Sequence, residues 1–410
     1  LALPYPFNPD TSKEVRMRRA HVCSIIPPHI QRHIAEHGDE EQRRRAQLNL
    51  ETSSHTRGHR AALLGIGLAV VSPGEKRRTV YDAQEKKALP GKLIRGEGSK
   101  SNGDLAAEEA YEGSGKTFDF YAKVFDRNSI DGRGMRIDSS VHYAKEFDNA
   151  QWNGRQMLYG DGDSKLFNRF TKALDVIGHE LTHGVTQYSA ALDYHDQPGA
   201  LNEHFSDVFG ILMKQYTLKQ SAVKSNWLIG EGIFTKQVHG VAVRSLKAPG
   251  TAFNDPVIGK DPQPAHMSKF NHGHADNGGV HINSGIPNHA FYKVAIALGG
   301  NAWEVAGRIW YVTLTQKLQH DSTFIHCADA TFTVAGEIFG RASEPQKAVR
   351  AAWKAVGIEI SEKVAAGEPK LMIRKQPVFE PAIAGAEVPL DEPRVDPSPR
   401  RKKGAGVSPA

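Results

Sequence analysis

The sequence predicts an α+β chain: a turn-rich, strand-forming part followed by a helical part, with a cluster of chemistry-bearing residues near their junction. Three observations carry this reading. Between residues 88 and 165, clusters of β-formers such as Phe118-Asp119-Phe120-Tyr121 and Ser140-Val141-His142-Tyr143 are separated by turns such as Gly160-Asp161-Gly162-Asp163. From about residue 166 to 358, apolar residues recur mainly at helical spacing. Near the junction stands His179-Glu180-Leu181-Thr182-His183, followed by Asn202-Glu203 and Asp207.

Taken from the N-terminus, residues 1–19 are an unpatterned leader and 20–60 a small unit. Within it, Cys23-Ser24-Ile25-Ile26-Pro27-Pro28-His29-Ile30 reads as an extended apolar segment, because each proline biases its predecessor away from helix. A charged stretch follows, with Glu40, Glu41, Arg43, Arg44 and Arg45, and its composition is that of a solvated helix. Residues 61–87 read as a linker containing an exposed, protease-sensitive basic stretch, Lys76-Arg77-Arg78. The spacing predicts helices over 302–318 and 345–356, the second with Ser343-Glu344-Pro345 as its cap region. Beyond residue 362, Pro, Ala and charge dominate without periodicity, and a disordered tail is expected.

Composition narrows the function classes. The chain has 410 residues and a net charge of +6, mild for its length, with no basic stripe interleaved with aromatics; no nucleic-acid partner is expected. Two cysteines, Cys23 and Cys327, exclude a disulfide framework. The longest apolar run, Ala61 to Val71, is too short to span a bilayer, and no secretory h-region is visible.

The central motif carries the chemistry. On a helix, residues four apart share a face, so His179 and His183 can reach one metal ion while Glu180 sits one step round. The bland alternative is a solvated helix with two surface histidines. Phe170, Leu174, Ile177 and Leu181 argue against it, since their spacing makes the helix amphipathic and packed. A second helix places Leu201, Phe205, Val208 and Leu212 on its apolar face and Glu203 and Asp207 on another. Two such helices can present His179, His183 and Glu203 to one tetrahedral Zn²⁺, with a fourth position open for water.

These residues resemble the thermolysin-like zinc metalloproteases, the M4 peptidases, and more narrowly the protealysin-like branch with a short propeptide. The resemblance runs from about Cys23 to Ile360. It rests on the zinc motif, Gly199-Ala200-Leu201-Asn202-Glu203, Ser206-Asp207-Val208-Phe209-Gly210, and Asp276-Asn277-Gly278-Gly279-Val280-His281-Ile282-Asn283-Ser284-Gly285. The branch is suggested by Cys23-Ser24-Ile25-Ile26-Pro27-Pro28, Leu89-Pro90-Gly91-Lys92-Leu93 and Asp261-Pro262-Gln263-Pro264.

The resemblance implies a two-lobed catalytic domain with zinc in the cleft: a β-rich lobe over 88–178 and a helical lobe over 179–361. It implies His179, His183 and Glu203 as ligands of one Zn²⁺, with Asp207 orienting His179 and Asn202 orienting His183. Glu180 is implied as the general base acting on zinc-bound water. Tyr194 and His281 are implied as donors to the oxyanion, with Asp276 holding His281. Arg244 would grip a substrate carbonyl. Asn149, Ala150 and Trp152 would form the strand that pairs with an extended peptide. Phe167, Val176 and Val243 would wall the primed-side pocket, so an apolar residue is expected just after the cut.

Departures from the family pattern sharpen the expectation. Of the matching calcium positions, Asp175 and Glu231 remain, but Lys214, Asn226 and Leu228 stand at the others, so no paired calcium site is expected. Residues 20–60 are expected to inhibit in cis through Pro27 and Pro28 until the 61–87 linker is cut. His29 replaces the usual tyrosine or leucine. The expected protein is a monomeric neutral endopeptidase made as a zymogen. It would act on peptides or proteins and be secreted without a visible signal peptide, a cytoplasmic location being the alternative. The rival function is a catalytically silent peptide-binding protein kept inhibited by its propeptide.

Overall fold

The computed structural model describes residues 24–63 and 75–365, with no side chains described over 54–63. Cys23, most of the Ala61–Val71 run, and the tail beyond Ala365 lie outside the described residues. Residues 362–365, the start of the expected tail, form a single helical turn.

Helix α1 (Pro28–His37) begins one residue after Pro27, so Pro28, His29 and Ile30 are helical rather than extended. The second proline tolerates this because the first helical position needs no amide hydrogen. Helix α2 is Glu40–Leu63. Strand β1 (Arg78–Asp82) falls inside the stretch read as linker. It pairs with β2 (Lys92–Arg95) antiparallel and with β3 (Ile137–Val141) parallel. Strands β4 (Ala150–Trp152) and β5 (Met157–Tyr159) complete a five-stranded sheet of order β2-β1-β3-β5-β4, with β4 at one edge.

The part read as β-rich also holds α3 (Leu105–Phe125), a correction to the strand expected at Phe118–Tyr121. Asp104 caps α3 by accepting from the Ala107 amide at 2.9 Å. Phe118, Phe120 and Tyr121 are buried in the core from a helix, so tertiary packing overrides their β-propensity.

Helices α4 (Leu174–Gln187) and α5 (Asp196–Leu218) carry the site. The expected lobe boundary at 178/179 therefore cuts through α4. These helices pack closely because two glycines meet at their crossing. A Cβ on Gly178 would lie 3.2 Å from Gly210 Cα and 2.5 Å from Met213 Cε; one on Gly210 would lie 2.7 Å from Asp175 O.

Strands β6 (Leu228–Ile229) and β7 (Arg244–Ser245) form a short ribbon beyond α5. Helix α6 (Ala275–Asn283) opens on four consecutive residues with left-handed backbone, Asp276 to Gly279. Asp, Asn and Gly are the residues that best tolerate that region. Helix α7 is Gly285–Leu298. The helix expected over 302–318 is shorter: α8 (Ala306–Val312) runs into a π-turn at Thr313–Lys317. Helix α9 is Phe324–Phe339, and α10 is Glu344–Ala355, whose cap Ser343 accepts from the Gln346 amide. Among the described residues, no helix is long and apolar enough to cross a membrane.

Candidate active site

Helix periodicity brings His179 and His183 together, their Nε2 atoms 3.0 Å apart. The far nitrogens are held by partners on α5. His183 Nδ1 lies 2.8 Å from Asn202 Oδ1 and 2.9 Å from Ser206 Oγ, and His179 Nδ1 lies 2.9 Å from Asp207 Oδ1. With protons on Nδ1, both Nε2 lone pairs face one point, a repulsive arrangement unless they share a cation. Glu203 stands opposite, 3.6 Å from His179 Nε2 and 3.5 Å from His183 Nε2. Its Oε2 is buried and has no hydrogen-bond partner. Tetrahedral zinc with bonds of about 2.0–2.2 Å needs ligand atoms roughly 3.3 Å apart. The His179, His183 and Glu203 atoms meet that spacing closely and could hold a metal ion.

Electrostatics keep the site charged. Burial pushes the Glu203 carboxyl up, but His281, His183, His179 and Arg244 together draw it down to about 2. Burial also opposes ionisation of Asp207, yet Arg244 and His179 hold it well below the carboxylate range. Arg244, on β7, forks onto Asp207 through Nε at 3.0–3.1 Å and Nη2 at 2.9 Å. That fork is absent from the expected role of Arg244, which considered substrate alone.

Glu180 is fully buried, and its Oε2 accepts the Trp152 backbone N–H at 2.9 Å. This bond ties α4 to the edge strand β4. Tyr194 O–H donates to Glu203, and its oxygen lies 3.0 Å from His281 Nε2. The other His281 nitrogen lies 2.7 Å from Asp276 Oδ1, and the His281 amide donates to Oδ2. Burial lowers the His281 imidazole, but Asp276 and Glu203 outweigh it and leave it above its ordinary value.

The N-terminal unit lies along β4. Ile25 N–H donates to Ala150 O at 3.2 Å, and Arg244 Nη1 donates to Ile25 O at 3.2 Å. Ile26 N–H donates to Asn149 Oδ1 at 2.9 Å, and Asn149 Nδ2 returns a bond to Ile26 O at 3.1 Å. These hydrogen bonds precede Pro27 and Pro28; Pro28 lines the adjoining cleft with Tyr194 and His281. Ile25 and Ile26 are fully buried, as are Phe167, Val176 and Val243, all of them within the main apolar core. His29 is partly buried, its ring nitrogens shielded near Asp276 and His281, and that desolvation lowers its pKa to about 4.

The charged α2 is not simply solvated. Arg45 forks onto Asp148 at 2.5 and 2.9 Å, with only 12% and 5% of the two side chains exposed. Arg44 pairs with Glu146, and Lys165 with Glu41, both at exposed positions. Asn49 accepts the Asp148 amide at 2.8 Å. None of these contacts was read from sequence, although Asp148 immediately precedes the expected substrate residue Asn149.

Known proteins divide the chain as the geometry does. Residues 72–187 match the thermolysin metallopeptidase catalytic domain, 190–358 the thermolysin metallopeptidase alpha-helical domain, and 23–56 the protealysin propeptide. The chain belongs to the thermolysin family of zinc-dependent metallopeptidases and is a metalloendopeptidase carrying a protealysin-type propeptide. It is 46% identical over 354 residues to an extracellular metalloprotease of Pectobacterium carotovorum subsp. carotovorum, covering 85% of this chain and 99% of that protein. It is 50% identical over 289 residues to protease PrtS of Photorhabdus sp. (strain Az29), covering 70% and 77%. Its fold matches the precursor of protealysin, a metalloproteinase from Serratia proteamaculans, with a TM-score of 0.76, 50% identity, and coverage of 82% and 99%. These relatives favour the endopeptidase over the catalytically silent binding protein.

Proposed function

We propose that the precursor holds its own Ser24–Ile26 segment in the cleft as a peptide substrate would lie, and is silent until that segment leaves. The observation that carries this is the pattern of main-chain bonds: Ile25 to Ala150 O and Arg244, Ile26 to both ends of the Asn149 amide. Added strands bind by such bonds, while pockets for side chains give specificity. Ile25 and Ile26, both buried, support an apolar preference in the cleft, with Phe167, Val176 and Val243 read as the walls of its primed side. In this reading 20–60 is the inhibitory unit, and release follows cleavage in the 61–87 region, ahead of β1.

His179, His183 and Glu203 would hold one zinc ion, oriented by Asp207 and Asn202. When bound, zinc supplies Lewis acidity, polarising the scissile carbonyl and lowering the pKa of water to about 7. Arg244, Asn149, Ala150 and Trp152 align the peptide. Glu180 takes the proton of the attacking water and returns it to the departing amine nitrogen. Tyr194 and His281, the latter steadied by Asp276, donate to the oxyanion as charge develops there.

Calcium plays no part in this reading. Lys214 Nζ lies 3.1 Å from Asp175 and 3.2 Å from Glu231, where an ammonium serves as the counter-charge. We place the active chain outside the cell, following the relative named as extracellular, and separately read it as a monomer. Casein hydrolysis tests the central claim. Chelator and Glu180→Ala should each abolish it, and intact mass over time should show a chelator-sensitive loss of the N-terminal unit. Hydrolysis by the Glu180→Ala chain at more than a few per cent of the normal rate would refute the assignment.

A further inference from the structure

A second buried path of hydrogen bonds ends on Asp207, separate from the Arg244 fork. Trp310 Nε1 donates to His204 Nε2 at 2.7 Å. His204 Nδ1 lies 2.8 Å from Asn288 Oδ1. Asn288 Nδ2 donates to Asp207 Oδ2 at 2.8 Å. All four side chains are fully buried.

The direction of every link follows from the first. An indole N–H can only donate, so His204 Nε2 must present a lone pair. The proton of the neutral ring is then on Nδ1 and is donated to Asn288 Oδ1. That leaves the Asn288 NH₂ facing Asp207; the flipped amide would set oxygen against carboxylate oxygen. Trp310 is itself fixed by rings, edge-on to Phe291 at 5.0 Å and stacked with Trp353 at 6.3 Å and 7°. Trp353 Nε1 is anchored on Thr331 Oγ1 at 2.9 Å.

We propose that Trp310, His204 and Asn288 are positioning residues for the zinc site: a one-way donor chain that fixes the Asp207 carboxylate, and through it the ring of His179. The chain spans α8, α5 and α7, so the packing of the helical lobe is transmitted to the first ligand. It donates to Oδ2 of Asp207, which Arg244 Nε also reaches at 3.0 Å, while Arg244 Nη2 and His179 engage Oδ1. The carboxylate is therefore gripped from both oxygens and cannot turn freely. This inference rests on reading His179, His183 and Glu203 as zinc ligands.

The test uses the full chain and zinc as the probe, with affinity measured by competition against a chromophoric chelator. Partners that orient metal ligands are worth about 10–100-fold in affinity. His204→Phe, Trp310→Phe and Asn288→Leu should each weaken zinc by about tenfold, the low end of that range. After removal of the prosegment, kcat should fall while KM for a peptide stays within about twofold, because none of the three residues contacts the substrate strand and Nη2 of Arg244 stays on Oδ1 of Asp207. The His204→Phe, Asn288→Leu double variant should lose no more than the worse single, as members of one chain do. Trp310→Phe keeps the ring packing and removes one donor, so it carries the test where a bolder variant fails to fold. Zinc affinity within twofold of normal in Trp310→Phe and in every other variant that folds would overturn the proposal, as would an additive double loss. A His179→Ala control separates the two levels. If it leaves zinc affinity unchanged, the ligand assignment itself fails; if it weakens zinc while the three variants do not, only the positioning chain fails.

Discussion

Replacing Arg45 by alanine should loosen the prosegment about a hundredfold, while replacing its neighbour Arg44 should change binding less than about fivefold. The contrast comes from burial. The Arg45–Asp148 fork is almost fully enclosed, whereas Arg44 is 56% exposed. Removing one partner of a buried pair strands the other charge and costs about 3 kcal/mol or more; an exposed pair is worth about 0–1 kcal/mol. At 1.4 kcal/mol per tenfold, the first is two decades or more and the second well under one.

A pH dependence follows from Asp148. Burial pushes its carboxyl up to about 6, against the pull of Arg45. Without Arg45 the penalty arises from a stranded anion, so it should be largest near pH 8 and shrink towards pH 5, where the carboxyl is protonated. The assay is inhibition of the mature chain by a synthetic 20–63 peptide carrying either substitution, at both pH values. Docking should survive in both cases, because Ile25, Ile26, Ile30 and Ile34 stay buried at about 1.5–3 kcal/mol each. Equal inhibition constants for the two single variants would refute the reasoning.

Two further outcomes are expected. Lys214→Ala leaves Asp175 buried without its ammonium and should cost about 3 kcal/mol, or roughly 5 °C in calorimetric melting for a domain of this size. Calcium should raise the melting point of neither chain, and a rise of several degrees would contradict the calcium-free reading. His142, between Asp161 at 2.8 Å and Asp104 at 2.8 Å, has its pKa raised to about 9, chiefly by its bond to Asp161. A raised histidine stabilises the fold fully below its unfolded pKa, about 6.5, and the contribution is lost as pH rises through about 9. Discounted for its partial exposure, this is about 1–2 kcal/mol. Urea midpoints of His142→Gln should therefore converge on those of the native chain as pH goes from 6 to 10.

What could be read from the sequence was what short-range periodicity controls. His179 and His183 share a face because a helix repeats within four residues, and Glu203 and Asp207 do so again on α5. Ser343 announced the start of α10 through local capping chemistry. Long-range pairing was illegible. Arg45 meets Asp148 across 103 positions, and within the charged run nothing distinguishes it from Arg44. Helix α3 was misread because Phe118 to Tyr121 are β-formers and Gly113 and Gly115 weaken the helical signal; the Asp104 cap and the core decide otherwise. The donor chain from Trp310 joins three helices distant in sequence, so no spacing rule reaches it.

The bare crossing of Gly178 and Gly210 bears on how this catalyst can change over evolutionary time. The residues proposed to hold zinc, His179, His183 and Glu203, and their direct partners Asn202 and Asp207 occupy two helices that cross where two glycines meet. An alanine at Gly210 would set its Cβ 2.7 Å from the Asp175 carbonyl oxygen, a backbone clash that α4 and α5 must relieve by shifting apart. Redesign for another metal would have to begin at the two glycines rather than at the ligands.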